Sequence, residues 1–132
     1  MKKKVEHIVP LSPQTLNILA EAKKLSDGSE YIFPADRKKG HPVNPQTANM
    51  ALKRMGYSGR LVAHGLRALA STVLNEEGIH HPDIIEAALA HVDKNQVRSA
   101  YNRAKYLDRR HKMMIWWSNH IVSSLAKALS AQ

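Results

Sequence analysis

Proline and glycine divide this sequence into short segments, and that punctuation constrains the fold more than any other feature. A capping side chain followed by proline is typical of a helix start, and a glycine just past an apolar run is typical of a helix end. Between these marks, apolar residues recur at three- and four-residue steps. The predicted starts are Ser12-Pro13, Asn44-Pro45 and Pro82, and the predicted ends are Gly56 and Gly78.

The chain is therefore expected to be mostly α, with a little β near its N-terminus. VEHIVPL at 5–11 alternates weakly and predicts a short strand, which needs a partner elsewhere or upstream of Met1. The loop from Tyr31 to Val43 is basic and rich in turn residues. The predicted helices cover Pro13 to about 25, 44–55, about 64–77, Pro82 to about 91, roughly 95–106, and 108 to about 129.

Length and charge define the class of protein. The 132 residues are 43% hydrophobic, which predicts one globular domain over 1–132. Lys and Arg outnumber Asp and Glu by 20 to 11, giving a formal charge of +9 and favouring a polyanionic partner such as nucleic acid. The chain has no cysteine, no membrane-length apolar run and no secretion signal, so a cytoplasmic protein is expected, with no membrane partner.

Four side chains suggest chemistry, although each has an ordinary explanation. His64 and Arg67 form an H-x-x-R pair that lies on one face of a helix and suits a phosphate, yet such pairs are common on surfaces. His91 ends a helix, where the macrodipole favours an imidazole whatever its function. Tyr101 alone reads as a half-buried helical tyrosine. Their order and spacing carry more information than any one of them.

H-x-x-R, a histidine 24 residues later and a tyrosine ten further on is the arrangement of the tyrosine recombinase (phage integrase) family. The chain resembles the C-terminal catalytic domain of that family, especially integrases of satellite phages and genomic islands. The resemblance covers nearly the whole chain, through HIVPLS at 7–12, AHGLRALAST at 63–72, LAHVDKNQVRSAYNRAKYL at 89–107 and MMIWWSNHI at 113–121. It implies that family's catalytic fold, a helical bundle with a small N-terminal β element.

The resemblance also implies roles for the four residues. Tyr101 matches the nucleophile that attacks a DNA phosphodiester and leaves a 3′-phosphotyrosyl bond. Arg67 matches an arginine that holds the non-bridging oxygens, and His64 a histidine that handles the proton. His91 matches the histidine that hydrogen-bonds the phosphate. This chemistry needs neither cofactor nor metal, and the adjacent pair His80-His81 is not expected to bind one.

The N-terminal end departs from the family pattern. Lys2 best matches the hairpin lysine that protonates the leaving oxygen, with Lys3 and Lys4 as alternatives. Nothing before Lys2 can supply the family's first catalytic arginine, and the N-terminal DNA-clamp domain is absent. The chain is therefore expected to be a catalytic-domain fragment, from a shortened gene or a piece of a longer protein, that binds DNA weakly and recombines nothing alone.

The remaining basic residues and the tail imply partners. A basic run beside the tyrosine and a triplet in the 31–43 loop are expected to contact the phosphate backbone of attachment-site DNA. The final helix, with Trp116 and Trp117 near its middle, packs either within the chain or on a neighbouring protomer, the latter as in a synaptic tetramer. Packing within the chain would leave few of its apolar groups exposed. The expected DNA contacts are Lys94, Arg98, Arg103, Lys105, Arg37, Lys38 and Lys39, with Arg109, Arg110 and Lys112 in the same run.

Three functions remain open from the sequence. The first is a DNA-cleaving and DNA-joining enzyme for integration of a prophage or genomic island, or its catalytic fragment. The second is a non-catalytic DNA-binding remnant of a degraded integrase. The third is an unrelated basic helix-turn-helix protein, which leaves the ordered set from His64 to Tyr101 to coincidence.

Overall fold

The computed structural model describes residues 7–90 and 106–131, and this part of the chain is mostly helical. It divides into two compact units. The first unit is Pro13–Leu69, and the second comprises the described parts of Met1–Ser12 and Ala70–Gln132. The α-helices are α1 Pro13–Lys24, α2 Thr47–Leu52, α3 Ala63–Glu77, α4 Pro82–Ala88 and α5 Leu107–Ser130, and one π-helical turn, Lys53–Tyr57, follows α2.

Most helices begin and end near the proline and glycine residues that predicted their bounds. Pro13 and Pro82 each occupy the first helical position, where proline loses no hydrogen bond. Gly78 follows α3 with a φ of 65°, a left-handed conformation that glycine adopts without strain. The predictions for α1, α3 and α5 are confirmed within a residue or two, and so is the start of α4, but α4 ends at Ala88, about three residues before its predicted end, and Ala90 has a φ of 52°. The predicted helix at roughly 95–106 lies almost wholly outside the described residues.

The second helix is shorter than predicted because the chain first makes a turn. The side-chain oxygen Oδ1 of Asn44 accepts a hydrogen bond from the Gln46 amide at 2.8 Å, and the Asn44 carbonyl accepts one from the Thr47 amide at 2.9 Å. These bonds delay the start of α2 to Thr47. Gly56 has a φ of 90° inside the π-helical turn, so the helical run ends there as predicted.

A basic hairpin-like loop precedes α2. The Val43 amide donates to the Phe33 carbonyl at 2.9 Å, and the Ala35 amide donates to the His41 carbonyl at 2.8 Å. Pro34 and Pro42 form an isolated antiparallel bridge between these bonds. The chain reverses through residues 36–40, which are all exposed.

The second unit has a small apolar core. Its buried residues come from α3, α4 and α5, and the surrounding side chains are partly buried. Ile85 is fully buried and Met113 is 1% exposed. The core consists of Leu74, Ile84, Ile85 and Met113, with Ala88, Leu89, Tyr106, Trp116 and Trp117 packed against it. Trp116 and Trp117 therefore pack within the chain, whereas the C-terminal half of the same helix leaves Ile121, Val122, Leu125 and Leu129 at least half exposed, so packing within the chain holds for the first half of α5 only.

The N-terminal segment lies against α5 and forms no strand over residues 7–11, so the predicted β element is not observed there. Arg110 Nη2 donates to the Ile8 carbonyl. The hydroxyls of Ser12 and Ser118 are hydrogen-bonded at 2.6 Å. Within residues 7–11, the Ile8 carbonyl is bound by the Arg110 side chain and not by a neighbouring strand. Pro10 also lacks the backbone N–H that a β-ladder uses. The weak alternation of the sequence therefore did not produce a strand over these residues.

Candidate functional site

The H-x-x-R pair lies at the start of α3, with His64 in the first turn and Arg67 at the beginning of the second. His64 and Arg67 are both exposed, and their i, i+3 spacing places them on the same face of the helix. The Gly65 amide between them donates to the Val62 carbonyl at 2.8 Å, which tightens the start of the helix. The structure thus places both residues on one helix, as the H-x-x-R spacing predicted, and their assignment to a phosphate site stays a prediction. An exposed guanidinium can bind two oxygens of a phosphate.

The start of α3 is held by a residue of α2 that sequence reasoning missed. The Ala63 amide donates to Asn49 Oδ1 at 2.8 Å. Asn49 Nδ2 in turn donates to Gln46 Oε1 at 3.1 Å. No sequence signal indicates this contact, because Asn49 and Ala63 are 14 positions apart and meet only through the shape of the intervening loop.

A shallow, open depression lined mostly by polar residues lies beside this contact in the first unit. Its volume is about 590 Å³. Two arginines, one from the basic loop and one from the π-helical turn, give it a positive charge, and amide side chains supply further donors and acceptors. The lining residues are Arg37, Asn44, Gln46, Thr47, Met50 and Arg54. Such a surface suits an anionic ligand whose phosphate oxygens or base edges can form hydrogen bonds with these side chains.

The basic triplet predicted to contact DNA is available for that role. Arg37, Lys38 and Lys39 lie in the turn of the basic loop, and all three are exposed. The Lys38 carbonyl accepts a bond from the His41 amide at 3.2 Å, and Gly40 has a φ of 76°. These features keep the turn tight while its cationic side chains face solvent. Arg54 is an additional candidate that the sequence did not single out.

Seven of the predicted site residues lie outside the described residues. They include the predicted nucleophile, so its distance from the H-x-x-R pair is not defined, and these assignments stay predictions. The seven are Lys2, His91, Lys94, Arg98, Tyr101, Arg103 and Lys105.

Arg110 corrects one expectation about the basic run. Its side chain is 1% exposed, and it binds the Ile8 carbonyl instead of facing DNA. Burial lowers the pKa of Arg110, although a guanidinium stays protonated. Its position three residues before Met113 and seven before Trp117 gives a helical spacing that indicates this face. Arg109 is exposed and lies 5.8 Å from the centroid of the Tyr106 ring.

The adjacent histidines have separate structural roles. His81 Nδ1 accepts a hydrogen bond from the Asp83 amide at 3.2 Å and caps α4. The His80 ring packs edge-on against Trp116 at 5.7 Å. Within residues 7–90 and 106–131, no three His, Asp or Glu side chains are grouped so that they could hold a metal ion.

Comparison with known proteins defines the class. Residues 1–107 match the phage integrase family, and the chain belongs to that family. It is 59% identical over 119 residues to the prophage integrase IntA of Escherichia coli strain K12, covering 90% of this chain and 29% of that protein. It is 38% identical over 133 residues to the integrase of Enterobacteria phage P4, covering 98% of this chain and 30% of that protein.

Other relatives agree with this assignment. The prophage integrase IntZ of Escherichia coli strain K12 is 40% identical over 126 residues, with 96% of this chain and 31% of that protein covered. The chain thus spans less than a third of the length of these relatives. No solved structure matches it. None of the described helices combines the length and apolar character needed to cross a bilayer.

Proposed function

We propose that this chain carries the phosphotyrosyl chemistry of a site-specific recombinase that integrates prophage or genomic-island DNA. The observation that carries the proposal is the exposed His64–Arg67 pair at the start of α3, in a chain that belongs to the phage integrase family. The names of its relatives, prophage and phage integrases, support the same reaction. The enzyme acts on double-stranded attachment-site DNA in the cytoplasm, at the nucleoid.

The reaction is a transesterification at a DNA phosphodiester. The Tyr101 oxygen forms a bond to phosphorus while the bond from phosphorus to the 5′-oxygen breaks. His64 accepts the tyrosine proton, and Lys2 donates a proton to the leaving 5′-oxygen, which becomes a 5′-hydroxyl. The product is a 3′-phosphotyrosyl ester, which a 5′-hydroxyl from a second strand reverses. Because the ester retains the energy of the broken bond, no external energy source enters the balance.

The cationic residues stabilise the charge that develops on phosphate. Arg67 donates N–H groups to the non-bridging oxygens, and His91 donates a further hydrogen bond. An unperturbed tyrosine has a pKa of about 10, so its hydroxyl needs an acceptor for its proton at neutral pH. By analogy with oxyanion-hole donors, loss of Arg67 would reduce the rate about 10²–10³-fold.

DNA binding rests on basic residues around this site. The exposed triplet Arg37, Lys38 and Lys39 lies beside the depression lined by Arg37 and Arg54, and this charge suits the phosphate backbone. We assign the same role to the basic residues near the tyrosine, Lys94, Arg98, Arg103 and Lys105. Four protomers would align two duplexes, as a synaptic tetramer requires for strand exchange.

Capture of the covalent intermediate tests the proposal. The chain is incubated with a pool of nicked suicide duplexes of randomised sequence, in which cleavage releases a short strand and traps the enzyme on DNA. A slowly formed adduct that survives denaturation is expected, without strand exchange by the isolated chain. Tyr101→Phe, which removes only the nucleophilic oxygen, should abolish the adduct and leave DNA binding unchanged.

The same experiment distinguishes the alternative. DNA binding by the wild-type chain with no adduct after long incubation would refute the enzyme and favour a non-catalytic DNA-binding remnant of an integrase. An adduct that persists in Tyr101→Phe would show that a residue other than Tyr101 is the nucleophile. Efficient strand exchange by the isolated chain would contradict its description as a weakly active catalytic fragment.

A further inference from the structure

We propose that Asn49 is a positioning residue that sets the start of α3 and thereby the orientation of His64 and Arg67. The inference rests on the proposed function, because it concerns how that site is held. Asn49 does not touch the reacting phosphate in this proposal. Its effect passes through one backbone amide, that of Ala63.

The first link is the hydrogen bond from Ala63 N–H to Asn49 Oδ1, at 2.8 Å. Ala63 is the first residue of α3, and the amides of a helix's first turn have no acceptor within the helix. An acceptor from α2 therefore fixes which residue begins the helix. His64 is the next residue, and if a neighbouring residue took the place of Ala63 against Asn49, the helix and the pair on it would turn by about 100° around the axis.

The second link orients the Asn49 amide itself. A backbone N–H can only donate, so the oxygen of Asn49 must face Ala63 and its nitrogen must face Gln46. Gln46 Oε1 accepts from Asn49 Nδ2 at 3.1 Å, and the Gln46 amide donates to Asn44 Oδ1 at 2.8 Å. The side-chain amides of Asn49 and Gln46 thus form a hydrogen-bonded series that ends at the Ala63 amide, and the backbone N–H of Gln46 is held in turn by the Asn44 side chain.

The series connects the catalytic helix to the cationic depression. Asn44 and Gln46 line that depression together with Arg37 and Arg54. DNA bound there would be held in fixed register with the first turn of α3, because both contacts involve the same run of side chains. Asn49 is partly buried and lies between the two, so it serves orientation more than affinity.

Three variants of the full chain test this role. Asn49→Ala removes the acceptor for the Ala63 amide, whereas Asn49→Asp keeps an acceptor oxygen, loses the donor to Gln46 and adds a negative charge. Asn75→Ala is the matched control, because Asn75 is an exposed asparagine on α3 whose Nδ2 bonds the Ser71 carbonyl one turn back. Adduct formation on the suicide duplexes, DNA affinity and hydrogen exchange of the Ala63 amide are measured for each.

The expected pattern separates positioning from folding and from binding. Asn49→Ala should slow adduct formation at least fivefold at saturating DNA, with DNA affinity within twofold, and exchange of the Ala63 amide should accelerate at least tenfold. Asn49→Asp should restore the rate of adduct formation and the exchange rate of the Ala63 amide to within about threefold of wild type. Asn75→Ala should match wild type in both rates. Equal adduct rates in all variants, or a loss that Asn49→Asp does not restore, would overturn the inference.

The outcome also distinguishes this inference from the proposed function. If the wild-type chain forms no adduct, the recombinase proposal fails. The positioning role of Asn49 is then tested by two other measurements, the hydrogen-exchange rate of the Ala63 amide and the chemical shifts of the His64 ring. Both should change in Asn49→Ala and return in Asn49→Asp. Resonances and exchange rates that are the same in all variants would refute the positioning role.

Discussion

The core of the second unit offers a quantitative test through Ile85→Ala. Ile85 has no exposed surface and contacts a cluster drawn from α3, α4 and α5. The substitution removes three carbon groups, whose transfer from water contributes about 0.8 kcal/mol each, or about 2.4 kcal/mol in all. A residual cavity adds to this cost, so we expect a loss of about 2.5–4 kcal/mol in the free energy of unfolding, within the range known for buried isoleucines.

The measurement is urea unfolding followed by tryptophan fluorescence, because Trp116 and Trp117 pack against this core. Ile121→Ala makes the same chemical change on a helix at a position that is 50% exposed, and it should alter stability by less than about 0.5 kcal/mol. A loss below about 1 kcal/mol in Ile85→Ala, or equal losses in the two variants, would refute the assignment of Ile85 to the core.

Two further predictions concern the basic residues. Arg110→Ala should lower the free energy of unfolding by about 1.5–3 kcal/mol, the range for a hydrogen bond from a charged group, whereas the exposed neighbour Arg109→Ala should cost at most about 1 kcal/mol in the same urea experiment. Replacing Arg37, Lys38 and Lys39 together by alanine should reduce the slope of log affinity for duplex DNA against log salt by up to about 2.7, at about 0.9 per lost phosphate contact. An unchanged slope would place the triplet away from the DNA.

Local signals predicted most of the helices, because each depends on residues close in sequence. Proline at the first position and glycine after the last determine where a helix can begin and end, whatever it packs against. The start of α2 differed because the Asn44 side chain bonds the Gln46 amide and makes a turn first. The predicted strand is not observed over residues 7–11, because a strand requires a distant partner and alternation alone does not supply one.

In the candidate site too, features that depend on local spacing were predictable from the sequence, and features that depend on distant contacts were not. The H-x-x-R pair needs only a helix to bring His64 and Arg67 together, so its spacing was sufficient. Asn49 could not be found, since its contact depends on a loop between two helices. Arg110 was misjudged because a run of charges says nothing about which member faces the core, although its spacing from Met113 held that information.

The hydrogen bond between Ser12 and Ser118 has a consequence for the order in which the protein is made. It joins residues 106 positions apart, so its formation closes a very long loop. During synthesis that closure must wait until α5 has left the ribosome, while the intervening first unit, Pro13–Leu69, has already emerged. Residues 7–12 are thus translated before the helix they lie on and dock only after it has emerged, and a chain that stops before Arg110 would leave them without that helix.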